Sequence, residues 1–378
     1  MYEKEYSILL ALIGSQVDGP PCTCRITDYR SLILLAKQHS VMNILYYALK
    51  DDPALPPECL AVLEKHLFST AHQQLAQEME SRRVADMLTR EGIRFLPMKG
   101  ALIRALYPAP EMRTSCDVDM YYDKAARPRM DDLFAALGYT KEEADPNHTA
   151  YKKGNVTMEM HHNLLTDIAR IDRYYRDLWD RLIPDGGCAY RMRDEDFYIY
   201  HIVHTMKHFT LAGTGIRSVL DTFVYLRGKP QLDMEYLQKE LDSIGLWEFH
   251  LALSSLAEVW FGGAEMPDDL RDVSAYVLGS GTYGNTVHKV ANRSARGGKL
   301  GFFLGRAFPS YHYMAEKYPS LRRFPPALPF YWIGRIIRAM FGKDNRIAVE
   351  VGAAGSADRE TEQQLDAVMG RVGLRGYR

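Results

Sequence analysis

The run RTSCDVDMYY at 113–122 places two carboxylates, Asp117 and Asp119, one residue apart in an apolar, β-prone stretch. In a strand, residues i and i+2 project from the same face, about 6–7 Å apart. Val118 and Met120 then face a core, while two like charges share the other side. Ionised carboxylates held that close repel unless a cation lies between them. The stretch therefore asks for a sheet with one buried face and one face that collects positive charge. A divalent cation meets that demand, because Mg2+ takes hard oxygen ligands and is commonly held by one or two carboxylates plus substrate phosphates.

A third acid stands in VTMEMHH, where Val156, Met158 and Met160 alternate with Thr157, Glu159 and His161. If that strand lies beside 117–122, Glu159 joins the cluster. Three acids on two strands can hold two metal ions, which stabilise the attacking and leaving oxygens of phosphoryl chemistry. Upstream, the strand-like IRFLPM turns through Lys99 and Gly100 into a short helix. Backbone N–H groups at such a turn receive phosphate, and glycine allows close approach. Lys99, Arg104 and Arg113 supply positive charge for a triphosphate.

The surrounding pattern predicts an α+β fold: a small mixed-sheet core flanked by helical regions. Residues 1–92 carry helical spacing, with a helix over 72–91 that stops at Gly92. Strand, turn, helix, strand, helix and further strands then alternate over 93–165. A C-terminal helical region follows over 166–341, with helices expected at 171–183, 194–210, 215–228, 233–243 and 246–260. Residues 262–300 are rich in Gly, Ser, Asn and charges, with a loop at 279–285, and 301–341 read as an aromatic, basic helix–loop surface with Phe330 and Trp332 in a core. The tail 342–378 reads as polar and loosely ordered, with one helix at 359–370.

The chain has 378 residues, 47% hydrophobic and 25% charged, with a net charge near −1. Its bulk charge points neither to nucleic acid nor to a membrane. The apolar run near the N-terminus is too short to span a bilayer. The five cysteines are scattered and odd in number, which fits a reducing cytoplasm.

Lys99-Gly100, Tyr107-Pro108, Arg113, Asp117-x-Asp119 and Glu159-x-His161, in this order, resemble the bacterial family called uncharacterised nucleotidyltransferase. That family sits within the DNA polymerase beta-like nucleotidyltransferase superfamily. The resemblance is closest over about 90–230 and extends to HIVHTMKHF and VLDTF. It departs from the superfamily at the turn, where Gly100-Ala101 replaces Gly-Gly or Gly-Ser, and in a longer gap from Gly100 to Asp117. The resemblance implies an enzyme that transfers a nucleoside monophosphate from ATP or another NTP to a hydroxyl or phosphate, releasing pyrophosphate. Asp117, Asp119 and Glu159 would be the catalytic, metal-binding residues, with Mg2+ or Mn2+ as cofactor. Lys99, Gly100, Ala101, Arg104 and Arg113 would bind the nucleotide.

Other readings stay open. His201, His204 and His208 share one helix face, and with Asp221 they define an alternative metal site for a phosphohydrolase. Together with His161 and Lys207 they are also candidate substrate contacts. A third reading is a non-catalytic nucleotide-binding module. The acceptor (a small molecule, a protein side chain or an RNA end), the NTP preference and the oligomeric state are not encoded legibly.

Overall fold

Alternation in NVTMEMHH decides which way the central strand faces. In the computed structural model, Val156, Met158 and Met160 are buried while Thr157, Glu159 and His161 are half-buried. The structure describes residues 3–377 apart from 99, 145–146, 165–167, 283, 287, 289–306, 319 and 342–358. Helices α1 (Glu3–Gly14), α2 (Tyr29–Gln38), α3 (Met42–Leu49) and α4 (Pro57–Arg90) precede the sheet. Two more, α5 (Gly100–Arg104) and α6 (Arg127–Ala136), lie between its strands. After it come α7 (Ala169–Tyr174), α8 (Asp194–Leu211), α9 (Ile216–Gly228), α10 (Met234–Ser243), α11 (Trp247–Ala257) and α12 (Arg271–Ser280).

The five-stranded sheet runs in the order β1 (Phe95–Pro97), β2 (Val118–Tyr122), β5 (Val156–His161), β4 (His148–Lys153), β3 (Thr140–Ala144). Only β2 and β5 are parallel neighbours. A parallel pair needs a crossover, and α6 with the β3–β4 hairpin provides it. The strands' apolar face packs on α6 and the end of α4, burying Val84, Leu88, Met120, Phe134 and Met158 in one cluster. Phe134 stacks on Tyr151 at 4.0 Å between ring centres. The expected stops are present: Gly92 and Gly138 take φ of +66° and +83°, backbone that L side chains rarely adopt.

The helix expected over 72–91 is longer, spanning 34 residues and therefore about 50 Å. Its first half buries Cys59 and Leu63 among the other helices, and its last turns bury Val84 and Leu88 under the sheet. Residues read as separate flanks share one apolar core: Leu9 and Ile13 of α1, Ile33 of α2 and Ile44 of α3 join Ile202, Phe223 and Phe249 of α8, α9 and α11.

Four expectations need correction. The helix predicted over 171–183 is only α7, followed by a 3-10 turn at Leu178–Arg181 and a two-stranded ladder, β6 (Ile183–Pro184) with β7 (Tyr190–Arg191). Pro184 has no N–H to continue a helix. Within 262–300, for which the composition suggests no helix at first sight, α12 forms because Val273, Tyr276 and Val277 recur at helical spacing and are buried. The tail is docked beyond the segment outside the described residues: a helix at Arg359–Arg371 buries Leu365, Val368 and Met369 in the main core. Arg371 also pairs with Asp272 of α12 at 3.1 Å. Finally, Trp332 packs on a small cluster of Met314, Ala315 and Leu321, but Phe330, expected in a core, is exposed.

Phe134→Ala should lower the unfolding free energy by about 3–5 kcal/mol. Leu34→Ala, at a side chain 63% exposed, should stay within about 0.5 kcal/mol. Urea titration followed by circular dichroism distinguishes them, and equal midpoints would contradict this core.

Candidate active site

The register of β2 against β5 sets Asp119 directly beside Glu159. His161 follows on the same face, and the ligand atoms of Asp119, Glu159 and His161 lie within 4.8 Å of one another. His161 Nε2 is 3.0 Å from Asp119 Oδ1 and 3.7 Å from Glu159 Oε2. His148, opposite His161 on β4, brings Nε2 to 3.9 Å from Glu159 Oε2. Among the described residues, this is the one group of three acids, histidines or cysteines compact enough to hold a metal ion.

Burial alone would pull the His161 pKa down, but its interactions with Asp119 and Glu159 raise it to about 9. At neutral pH the ring is an imidazolium whose charge offsets the two carboxylates. Asp117 precedes β2 by one residue, so strand alternation does not govern it. Its Oδ1 accepts a hydrogen bond from Ser115 Oγ at 3.2 Å. It lines the same cleft as Asp119 and Glu159 but stands outside the compact cluster.

This cleft, of about 400 Å³, lies between the polar face of the sheet and helices α8 and α9. Gly100, Arg113, His201, His204, Lys207 and His208 all reach it. Lys99 lies outside the described residues, and of Ala101 only the helical backbone is described. A Cβ on Gly100 would meet Ser115 Oγ at 3.7 Å and Arg113 Nη1 at 3.9 Å, ordinary contacts. Packing therefore does not demand glycine there. Arg104 donates from Nε to the Arg113 carbonyl at 3.3 Å and faces a neighbouring cavity of about 320 Å³. Burial, and then the charge of Arg113, lower its pKa to about 10.

Arg113 and Asp221 form a buried, two-pronged ion pair. Nε donates to Oδ1 at 2.8 Å and Nη2 to Oδ2 at 2.9 Å, while Nη1 reaches the Gly100 carbonyl at 3.4 Å. Tyr107 donates its hydroxyl to Asp221 Oδ1 at 2.8 Å. Burial would raise the Asp221 pKa, but the Arg113 guanidinium holds it below the ordinary carboxylate range. Asp221 is thus committed to Arg113. His201 bonds through Nε2 to Thr222 Oγ1 at 2.9 Å, and the His204 and His208 rings sit 4.4 Å apart. These histidines and Asp221 are not among the compact metal-binding groups of the described residues.

A sequence model described as uncharacterised nucleotidyltransferase matches residues 27–262, more than half of the chain. The chain belongs to this family. The matched span holds the whole five-stranded sheet and the cleft wall as far as Asp221, and membership supports nucleotidyl transfer as the general chemistry. No curated protein and no solved structure gives a significant match.

Several family-span residues in the cleft escaped sequence reasoning, among them His148, Arg217 and Tyr200. Arg217 lies at the start of α9 and donates from Nη1 to the Thr114 carbonyl at 3.2 Å. Nothing in its local sequence separates it from an ordinary surface arginine. Tyr200 lies one turn before His204, so the period of the histidine face includes it. Burial, then the charge of Asp119, push its pKa well above the usual phenol value, so it keeps its O–H.

Two measurements follow from these charges. Asp221→Asn leaves Arg113 buried without a counter-charge, and urea denaturation should show a loss of about 3–5 kcal/mol. The His161 pKa is raised on folding, so its contribution is fully present below about 6.5 and lost as pH climbs through about 9. In chelator-treated protein the urea midpoint should fall across that window, and Asp119→Asn should flatten the fall.

Proposed function

We propose that this chain is a divalent-cation-dependent nucleotidyltransferase of the DNA polymerase beta-like kind. It moves a nucleoside monophosphate from an NTP to an acceptor oxygen. The bond from that oxygen to the α-phosphorus forms, the α–β bridging bond breaks, and pyrophosphate leaves. One observation carries the reading: Asp119 and Glu159 stand side by side, with His161, in a cleft whose opposite wall bears Lys207 and Arg217.

The donor set fits the expected metal. Two carboxylates and an imidazole suit Mn2+, and the carboxylates suit Mg2+. Asp119, Glu159 and His161 would hold the ion, with Asp117 as a further carboxylate from the same cleft. Once bound, a divalent ion neutralises phosphate charge and stabilises the attacking and leaving oxygens.

The chain's own groups do the rest by positioning and charge. Glu159 accepts the proton of the acceptor hydroxyl. Lys207 and Arg217 face the triphosphate from the helical wall, and Lys99 and Arg104 add charge from the turn. Gly100 leaves room for phosphate oxygens to approach the backbone. Arg113 orients this turn through its carbonyl and through Asp221 rather than by touching the nucleotide. Tyr200 donates its hydroxyl to a substrate oxygen. The five cysteines are scattered along the chain and odd in number, which suits a reducing, cytoplasmic setting.

Isothermal titration with Mg2+ or Mn2+ and each NTP tests the reading. Asp119→Asn should weaken metal-dependent NTP binding by about 100-fold, while Arg30→Ala, at an exposed side chain of α2, should leave it intact. NTP binding that is indifferent both to the metal and to Asp119 would sink the proposal.

A further inference from the structure

The helix Leu328–Phe341 is apolar on two opposite sides. One side closes, through Leu328, Tyr331 and Trp332, on the small cluster of Met314, Ala315 and Leu321. The other bares Phe330 (75% exposed), Ile333 (53%) and Ile337 (51%). Their i, i+3, i+7 spacing makes one stripe. Phe324, just upstream, is 62% exposed. Single exposed apolar side chains are ordinary, but a contiguous patch marks an interaction surface.

The charge around the patch has one sign. In sequence, Lys317 to Lys343 carries six cations and no carboxylate between the flanking Glu316 and Asp344, although the whole chain is near −1. The structure describes the side chains of Arg322, Arg323 and Arg335 among them. Arg322 and Arg323 are exposed beside Phe324. Pairing this face with a second copy would bring two such arginine pairs together without a described counter-charge, which opposes self-association. Single-stranded nucleic acid is held by cations and flat aromatic rings, so a stripe that adds Ile333 and Ile337 suits an acyl boundary better.

We infer that this segment docks on a bilayer surface rich in anionic phospholipid. Phe324, Phe330, Ile333 and Ile337 enter the boundary between headgroups and acyl chains, and Arg322 and Arg323 meet the phosphates. Amphipathic helices with aromatic and aliphatic residues opposite cations lie in that plane rather than crossing it. The helix has 14 residues, short of the roughly 20 needed to span, and no described helix is long and apolar enough to cross a membrane. This surface is independent of the cleft chemistry.

The test is co-sedimentation of the full chain with vesicles of pure phosphatidylcholine or of phosphatidylcholine with about one-third phosphatidylglycerol, at about 0.05 M and about 0.5 M salt. Binding should favour the anionic vesicles and weaken at high salt. Arg322→Glu with Arg323→Glu should reduce it by about tenfold. Phe330→Glu with Ile333→Glu should reduce it at least as much, with circular dichroism and NTP binding unchanged. The inference is overturned by equal binding to both vesicle types, or by wild-type partition of the Phe330/Ile333 variant. It is equally overturned if light scattering shows a dimer that this variant dissolves while wild type ignores vesicles, or if RNA is retained and vesicles are not.

Discussion

A single buried ion pair holds the two walls of the cleft against each other. Arg113 belongs to the loop that leads into β2, and Asp221 belongs to α9. Neither charge tolerates burial alone, and a buried pair is secure only when its remaining donors and acceptors are satisfied. Here they are: Tyr107 donates to Asp221, and Arg113 donates onward to the Gly100 carbonyl. Gln77 of α4 bonds the Ser115 carbonyl and Arg217 of α9 bonds that of Thr114. The loop carrying Asp117 is thereby pinned from the sheet side, from α4 and from α9.

The electrostatics of the opposite wall follow from strand pairing. Parallel register sets Asp119 against Glu159, and period-two alternation gives them a common face with His161. The repulsion is relieved internally by the imidazolium, which balances the carboxylates when no metal ion does. A place that stabilises a proton on a histidine in this way is pre-shaped for other positive charge. The apolar side of the same strands, packed under α6, keeps the arrangement rigid.

Much of this was legible because the relevant signals are local. Alternation in DVDMYY and NVTMEMHH named the strands and the charged face, and glycines at 92 and 138 marked stops that the backbone confirms with positive φ. The misses have local causes too. Glycines and serines around α12 masked the spacing of Val273, Tyr276 and Val277, and a polar composition hid the docked face of Arg359–Arg371. Phe330 looked like core because aromatic residues usually are, but its helix already buries its other side on Trp332 and its neighbours.

What the amino-acid order determined by itself was short-range: which side chains share a strand or helix face, because backbone geometry repeats every two or every 3.6 residues. Glu159 and His161 on one side of β5, and the histidines on one side of α8, belong to that class. Tertiary structure decided which faces meet. It brought Glu159 to Asp119, left Asp117 outside the compact cluster, and committed Asp221 to an arginine 108 positions away rather than to the nearby histidines. Such choices rest on contacts between distant segments, whose strength depends on burial and on charges that the local sequence does not contain.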